Sequence, residues 1–348
     1  MAGTRCPRKG TEMPRPRVRL VDVALRAGVS RTTASFVLSG RTDMRISEAA
    51  QERVRQAAEQ LGYRPNLAAR SLTTKSTHTI GLISDTIATR QYAGDFIRGI
   101  NAAALERDHL LVIGETEGDP ELQGRVIRGM LDRQVDGLIY GTEFTRQVEL
   151  AAFDQHPVVL LNCLSSPMQG PAVVPDEYNA GRAAARTLLA AGHREGIHLV
   201  GERPRSLFAA RERSAGIRAE LSRDGVSLAG TVDCKWEAEP AYAAVRNWLD
   251  RGGRALALIC LNDRIAFGAY QALREAKLVV PYDVSVVSFD DSELASWLRP
   301  QLTSVALPHY AMGYRAAELL LTGSREPEVH RIEMPLRERS SVSRPIAI

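Results

Sequence analysis

Arg31, Thr32 and Ser35 set a guanidinium and two short hydroxyls on the exposed face of a helix predicted over 31–38. Side chains of this kind hydrogen-bond phosphate oxygens and the edges of base pairs. Neighbouring elements must hold that face in place. Leu20, Val23, Ala24 and Ala27 recur at helical spacing and form one apolar stripe. Gly28 supplies the backbone freedom of a sharp reversal, and Ser30 is a good N-cap for the second helix. Two helices joined in this way form a helix-turn-helix, whose second helix lies in the major groove. An ordinary helical hairpin would leave the same signature in this window.

Other chemistry is harder to find. No GxGxxG follows a strand, and there is no P-loop and no GxSxG, so an α/β enzyme is not indicated. His193, His198 and His309 have no nucleophile or metal partner at useful spacing. Cys6, Cys163, Cys234 and Cys260 stand far apart without a CxxC, which fits neither zinc nor a disulfide framework. Cys163 and Cys260 sit in apolar runs and read as buried thiols. No cofactor is called for.

The net charge of +4 hides an asymmetry, with +9 over residues 1–76 and −5 over the remainder. A basic head on a mildly acidic body implies that only the head meets a polyanion. Nucleic acid is that polyanion rather than a membrane, because no apolar run reaches spanning length. The basic N-terminus lacks the hydrophobic stretch of a signal peptide, so a cytoplasmic location is expected. Residues 1–17, rich in Arg, Pro, Gly and Thr, are expected to be disordered.

A third helix is predicted from a cap at Ser47 to a stop at Gly62, with Ala50, Val54, Ala57 and Leu61 on its inner face. It completes an all-α head over 18–64, small enough to be marginal without help. Residues 65–78 read as a linker whose short helical stretch, Leu67–Leu72, cannot stand alone in water. From Thr79 the chain alternates buried strands and helices to its end, a pattern that indicates parallel sheets covered by helices. The strands are predicted over 79–84, 110–114, 135–140, 158–161, 196–200, 255–260 and 285–289, with one last strand-like run over 329–336. Ten or more elements exceed one sheet, so residues 79–348 divide into two similar α/β lobes.

Taken together, the chain resembles the LacI/GalR family of transcriptional regulators over nearly its whole length. The resemblance rests on VDVALRAGVSRTTASFVLSG at 21–40, GYRPNLAARSL at 62–72, GLISD at 81–85, VDGLIYG at 135–141 and PDEYNAGRAAARTLLAAGHR at 175–194. ARERSAGIRAEL at 210–221, CLNDRIAFGAYQAL at 260–273, VSVVSFDDSELASWLRPQLTSV at 284–305 and MGYRAAELLL at 312–321 continue it in order. It implies a helix-turn-helix head, a hinge helix, and a two-lobed core like that of periplasmic binding proteins. It further implies a homodimer on double-stranded operator DNA, and a small-molecule effector, sugar-like, bound between the lobes.

Carried over by position, Arg31 and Thr32 fall where the family meets base edges, and Thr33 and Ser35 at backbone or base contacts. Tyr63 joins the DNA-facing set. Phe36 departs from the family, which most often has an arginine there. An aromatic ring can touch a thymine methyl but cannot donate a bidentate bond, or it can belong to the core of the head. Asn66, Ala69 and Leu72 match hinge positions, where the leucine wedges into a base step, a cost of a few kcal/mol repaid by the wrapped contacts. In the cleft the matching residues are Arg213, Asp290, Asn262 and Trp236, with Tyr92 where the family often has Phe. An Arg, an Asp, an amide and an indole suit a sugar. The same Arg213 and Asp290 would also serve as a cross-lobe ion pair that holds structure, and Trp236 as a core residue. Asn162 stands where the family often has Asp. A core that reads a phosphoprotein partner instead of a small molecule remains open.

Overall fold

The computed structural model describes residues 18–39, 46–63, 76–86, 93–149, 153, 156–201 and 207–345. The expected hinge residues Asn66, Ala69 and Leu72, the effector candidate Tyr92 and the N-terminal extension 1–17 lie outside the described residues. The chain divides into two compact units, Met1–Thr77 and His78–Ile348.

In the first unit, α1 (Leu20–Ala27) and α2 (Arg31–Leu38) are joined by a turn in which Gly28 adopts φ 65°. A side chain is strained there, which accounts for glycine. Asp22 closes the start of α1 by accepting from the Arg19 amide at 2.8 Å. Ser30 caps α2, its hydroxyl accepting from the Thr33 amide at 3.0 Å. α3 (Glu48–Leu61) ends at Gly62 as predicted, but Ser47 makes no side-chain cap bond. Val23, Ala24, Ala27, Ala34, Val54 and Ala57 form the core of this unit, with Leu20, Val37 and Leu61 packed around it.

The second unit holds two six-stranded sheets. The first contains β1 (Thr79–Ser84), β2 (Leu110–Glu115), β3 (Gly137–Val148), β4 (Val158–Ser165), β5 (Ala172–Pro175) and β11 (Val329–Ile332), in the order β11-β5-β4-β3-β1-β2. Its helices are α4 (Ala93–Leu105), α5 (Pro120–Leu131) and α11 (His309–Leu321). The second contains β6 (Ile197–Val200), β7 (Gly230–Val232), β8 (Ala257–Cys260), β9 (Ser285–Asp290), β10 (Thr303–Ala306) and β12 (Leu336–Arg337), in the order β12-β10-β9-β8-β6-β7. With it go α6 (Glu177–Ala190), α7 (Phe208–Arg223), α8 (Ala238–Asp250), α9 (Asp263–Glu275) and the short α10 (Glu293–Trp297).

Among the described residues, pairing is parallel except where β12 meets β10. Continuous apolar strands buried on both faces are what such a sheet requires, and Ile80, Leu82 and Ile83 in β1 are fully buried. The expected single strand over 329–336 is corrected to two. β11 closes the first sheet and β12 the second, because Glu333–Pro335 carries the chain from one to the other. The chain passes between lobes three times, after β5, after β10 and after β11. Cys163 and Cys260 are buried thiols, and burial pushes Cys163 up to about 12.

Candidate functional site

In the head, Arg31, Thr32 and Ser35 lie exposed on α2, while Ala34 is turned into the core. Thr33 is half-buried, and its hydroxyl hydrogen-bonds that of Ser30 at 2.8 Å. Phe36 is half-buried. Tyr63 packs against the head's core, which fixes the chain where it leaves α3.

In the core, a cavity of about 270 Å³ opens between the two sheets, bordered by residues that follow the C-terminal ends of parallel strands. That is where open α/β sheets place their ligands. Pro175, Glu177, Leu307 and His309, from two of the three crossings between lobes, line it. Four of the expected effector residues meet here: Arg213, Trp236, Asn262 and Asp290.

Arg213 on α7 is 1% exposed and organises the floor. Its Nε and one terminal nitrogen donate to both carboxylate oxygens of Glu177, at 2.6 and 3.0 Å. The other terminal nitrogen donates to the Leu261 carbonyl at 2.5 Å and to Asp290 at 3.3 Å, so the ion pair expected across the lobes lies within the second. Its guanidinium lies 4.6 Å from the Phe289 ring centroid and 5.5 Å from that of Trp236. Burial works to lower the pKa of Arg213, but Glu177 and Asp290 outweigh it and hold the guanidinium above its ordinary value. A bidentate, fully desolvated pair of this kind is among the stronger polar contacts available.

Asp290 stands at the end of β9 with φ 101°, a conformation rare for a residue with a Cβ. Burial pushes its carboxyl up to about 7 against the pull of Arg213, with Asp263 and Glu177 adding to the rise. Asp263 anchors the following loop, accepting from the Ser292 amide at 2.7 Å and from the Ser304 hydroxyl at 2.8 Å. Asn262 caps α9 by accepting from the Ile265 amide at 2.8 Å, and its NH2 donates to the Trp236 carbonyl at 3.4 Å. The Trp236 indole donates to the Gly201 carbonyl at 2.7 Å, so this half-buried ring both joins the lobe's packing and faces the cavity.

The opposite wall comes from the first lobe. Asn162 on β4 faces the cavity, but its amide is engaged with the Thr142 and Glu143 carbonyls and the Thr145 hydroxyl. Phe96 adds apolar surface from this side, and Phe208 on α7 adds it from the second lobe. The His309 ring lies 4.5 Å from that of Phe96, and burial holds the imidazole down at about 4.

Glu177, Phe96, Phe208 and His309 are absent from the set read off the sequence. Glu177 had a usable signal. Asp176 is a natural N-cap, and it accepts from the Asn179 amide at 3.3 Å, so α6 begins at Glu177. His309 gave none, because its partner Phe96 is remote in sequence.

Among the described residues, no three or more His, Cys, Asp or Glu side chains are grouped to hold a metal, and no helix is long and apolar enough to cross a membrane.

A small helix-turn-helix unit and a two-lobed core with a polar cleft define a ligand-responsive DNA-binding regulator. Residues 19–66 match the bacterial regulatory proteins of the lacI family, and residues 185–342 match the periplasmic binding protein-like domain. The chain is 33% identical to the ribose operon repressor of Escherichia coli (strain K12), over 90% of this chain and 93% of that one. It therefore belongs to the lacI family. Among solved structures it is similar to a lac repressor dimer bound to operator and the anti-inducer ONPF, with a TM-score of 0.76, 26% identity and coverage of 94% and 100%. It is also similar to a complex of the transcriptional regulator CelR with cellobiose, with a TM-score of 0.63, 29% identity and coverage of 93% and 100%.

Proposed function

We propose that this protein is a homodimeric repressor that binds a pseudo-palindromic operator and is controlled by a small sugar-like effector seated between its lobes. Two recognition helices, one per subunit, lie in successive major grooves, with Arg31, Thr32 and Ser35 at base edges and phosphates. Thr33 and Tyr63 act mainly by holding that helix and its exit in place. The hinge stretch, with Asn66, Ala69 and Leu72, orders on the DNA, and Leu72 is the wedge. The protein works in the cytoplasm and performs no catalytic step.

The observation that carries the effector reading is the cleft floor, where Arg213, Glu177, Asp290 and Asn262 converge under aromatic surface. A few fixed polar groups within an otherwise apolar concavity are the usual form of a small-molecule site. The effector changes operator affinity only through its differential affinity for two inter-lobe arrangements. Binding of the full-length protein to genomic fragments, with and without sugars, nucleosides and purines, tests the proposal. Arg213→Ala is expected to bind operator but ignore effector. A normal ligand response in that variant would remove Arg213 from the site, and no preference for any fragment over random duplex would end the operator reading.

A further inference from the structure

The cavity carries more acid than base among the described residues: Glu143, Glu177, Glu237 and Asp290 face Arg213 and Arg264. Both cations are already engaged. Arg264 donates to the two oxygens of Glu237, each at 3.2 Å. Arg213 spends four of its five N–H groups on Glu177, the Leu261 carbonyl and Asp290. On the reading of this cleft as the site of a sugar-like effector, we infer that Glu177 is the specificity-determining residue that excludes acidic ligands from it.

The reason is what the floor can still offer. Arg213 and Glu177 cancel, so the floor around them is neutral if Asp290 carries a proton and negative if it does not. It is positive in neither state. A carboxylate or phosphate seated there would be desolvated without a counter-charge, the costliest form of burial. The carboxylate oxygens of Glu177 and Asp290 keep lone pairs for further donors, and an alcohol supplies O–H groups without a charge. Phe96, Phe208 and Trp236 match the C–H faces of such a molecule. Glu177 is the determinant because it alone meets Arg213 through both oxygens. Without its charge, Arg213 would be the ready fork for a carboxylate.

Thermal-shift and calorimetric titrations of the full-length protein test this with matched sets: free pentoses, hexoses and their polyols, the corresponding sugar phosphates, and the corresponding aldonic and uronic acids. At least one neutral compound should bind, with its acid and phosphate forms weaker by on the order of a hundredfold or more. An acid or phosphate that binds as tightly as its neutral counterpart overturns the inference but leaves the effector site standing. Silence across all three sets overturns the sugar reading along with it. Glu177→Gln should bring the acid form within about tenfold of the neutral one by uncovering Arg213. A well-folded variant that still rejects acids removes Glu177 as the determinant. Should the variant not fold, the wild-type comparison decides alone.

Discussion

Arg213 is tied into the core by its guanidinium and also borders the cleft. It is bound on three sides by its own protein, yet it lies in the floor of the cleft. Removing it leaves Glu177 and Asp290 buried without their counter-charge. Arg213→Ala should therefore lower core stability by about 3–5 kcal/mol in urea titrations, besides abolishing the effector response. Asp290 and His309 give the core opposing pH dependences. The Asp290 carboxyl is raised to about 7, so its folded form binds a proton that the unfolded chain releases above about 4. Its contribution is fully present at low pH and is lost as pH rises through 7. His309 is lowered to about 4, so its contribution is present above the ordinary imidazole value of about 6.5 and is lost as pH falls toward 4. Urea midpoints at pH 5 and pH 8 should show Asp290→Asn gaining relative to wild type at the higher pH, while His309→Gln gains at the lower. On the head, Arg31→Ala separates two roles. Loss of a phosphate contact would reduce the salt slope of operator binding by about one per subunit, whereas loss of a base contact would relax sequence preference.

At the scale of elements, placement depends on caps and close crossings. Ser30 sets the first turn of α2, and Ser30→Ala should destabilise the head by about 1 kcal/mol, with Ser30→Asn largely retaining its stability. The helices α6 and α7 carry Glu177 and Arg213, and they meet at glycines. A Cβ on Gly181 would collide with the Arg213 carbonyl, and one on Gly216 with the Tyr178 carbonyl. The bidentate pair depends on that approach. Gly181→Ala should force the helices apart, costing about 1–3 kcal/mol in urea, and weaken effector binding in calorimetry while operator affinity without effector is kept. A neutral outcome would show that the crossing does not set the pair.

For the whole molecule, the charge division gives the clearest expectation. With +9 in residues 1–76 and −5 beyond them, operator binding should fall steeply with salt, whereas effector binding to an uncharged ligand should not. Parallel titrations at low and moderate salt check both. The three crossings between lobes also make the cleft the natural place for ligand to bias the core, since the residues of two crossings line it. At a hundred times its Kd, an effector should stabilise the core by about 2.7 kcal/mol by mass action, read as a higher melting midpoint.

Local chemistry made much of this readable in one dimension. Ser30, Gly28 and the apolar stripe of α1 act over a few residues, so the helix-turn-helix and its exposed Arg31, Thr32 and Ser35 could be placed from spacing alone. Alternating buried strands and helices likewise dictated two α/β lobes, and Arg213, Trp236, Asn262 and Asp290 were visible through family motifs. Contacts between remote segments were not. Glu177 meets Arg213 across 36 residues, His309 meets Phe96 across still more, and the terminal run splits between two sheets. Such pairings depend on how helices cross and where the chain changes lobes, and hydrophobic periodicity carries no record of either.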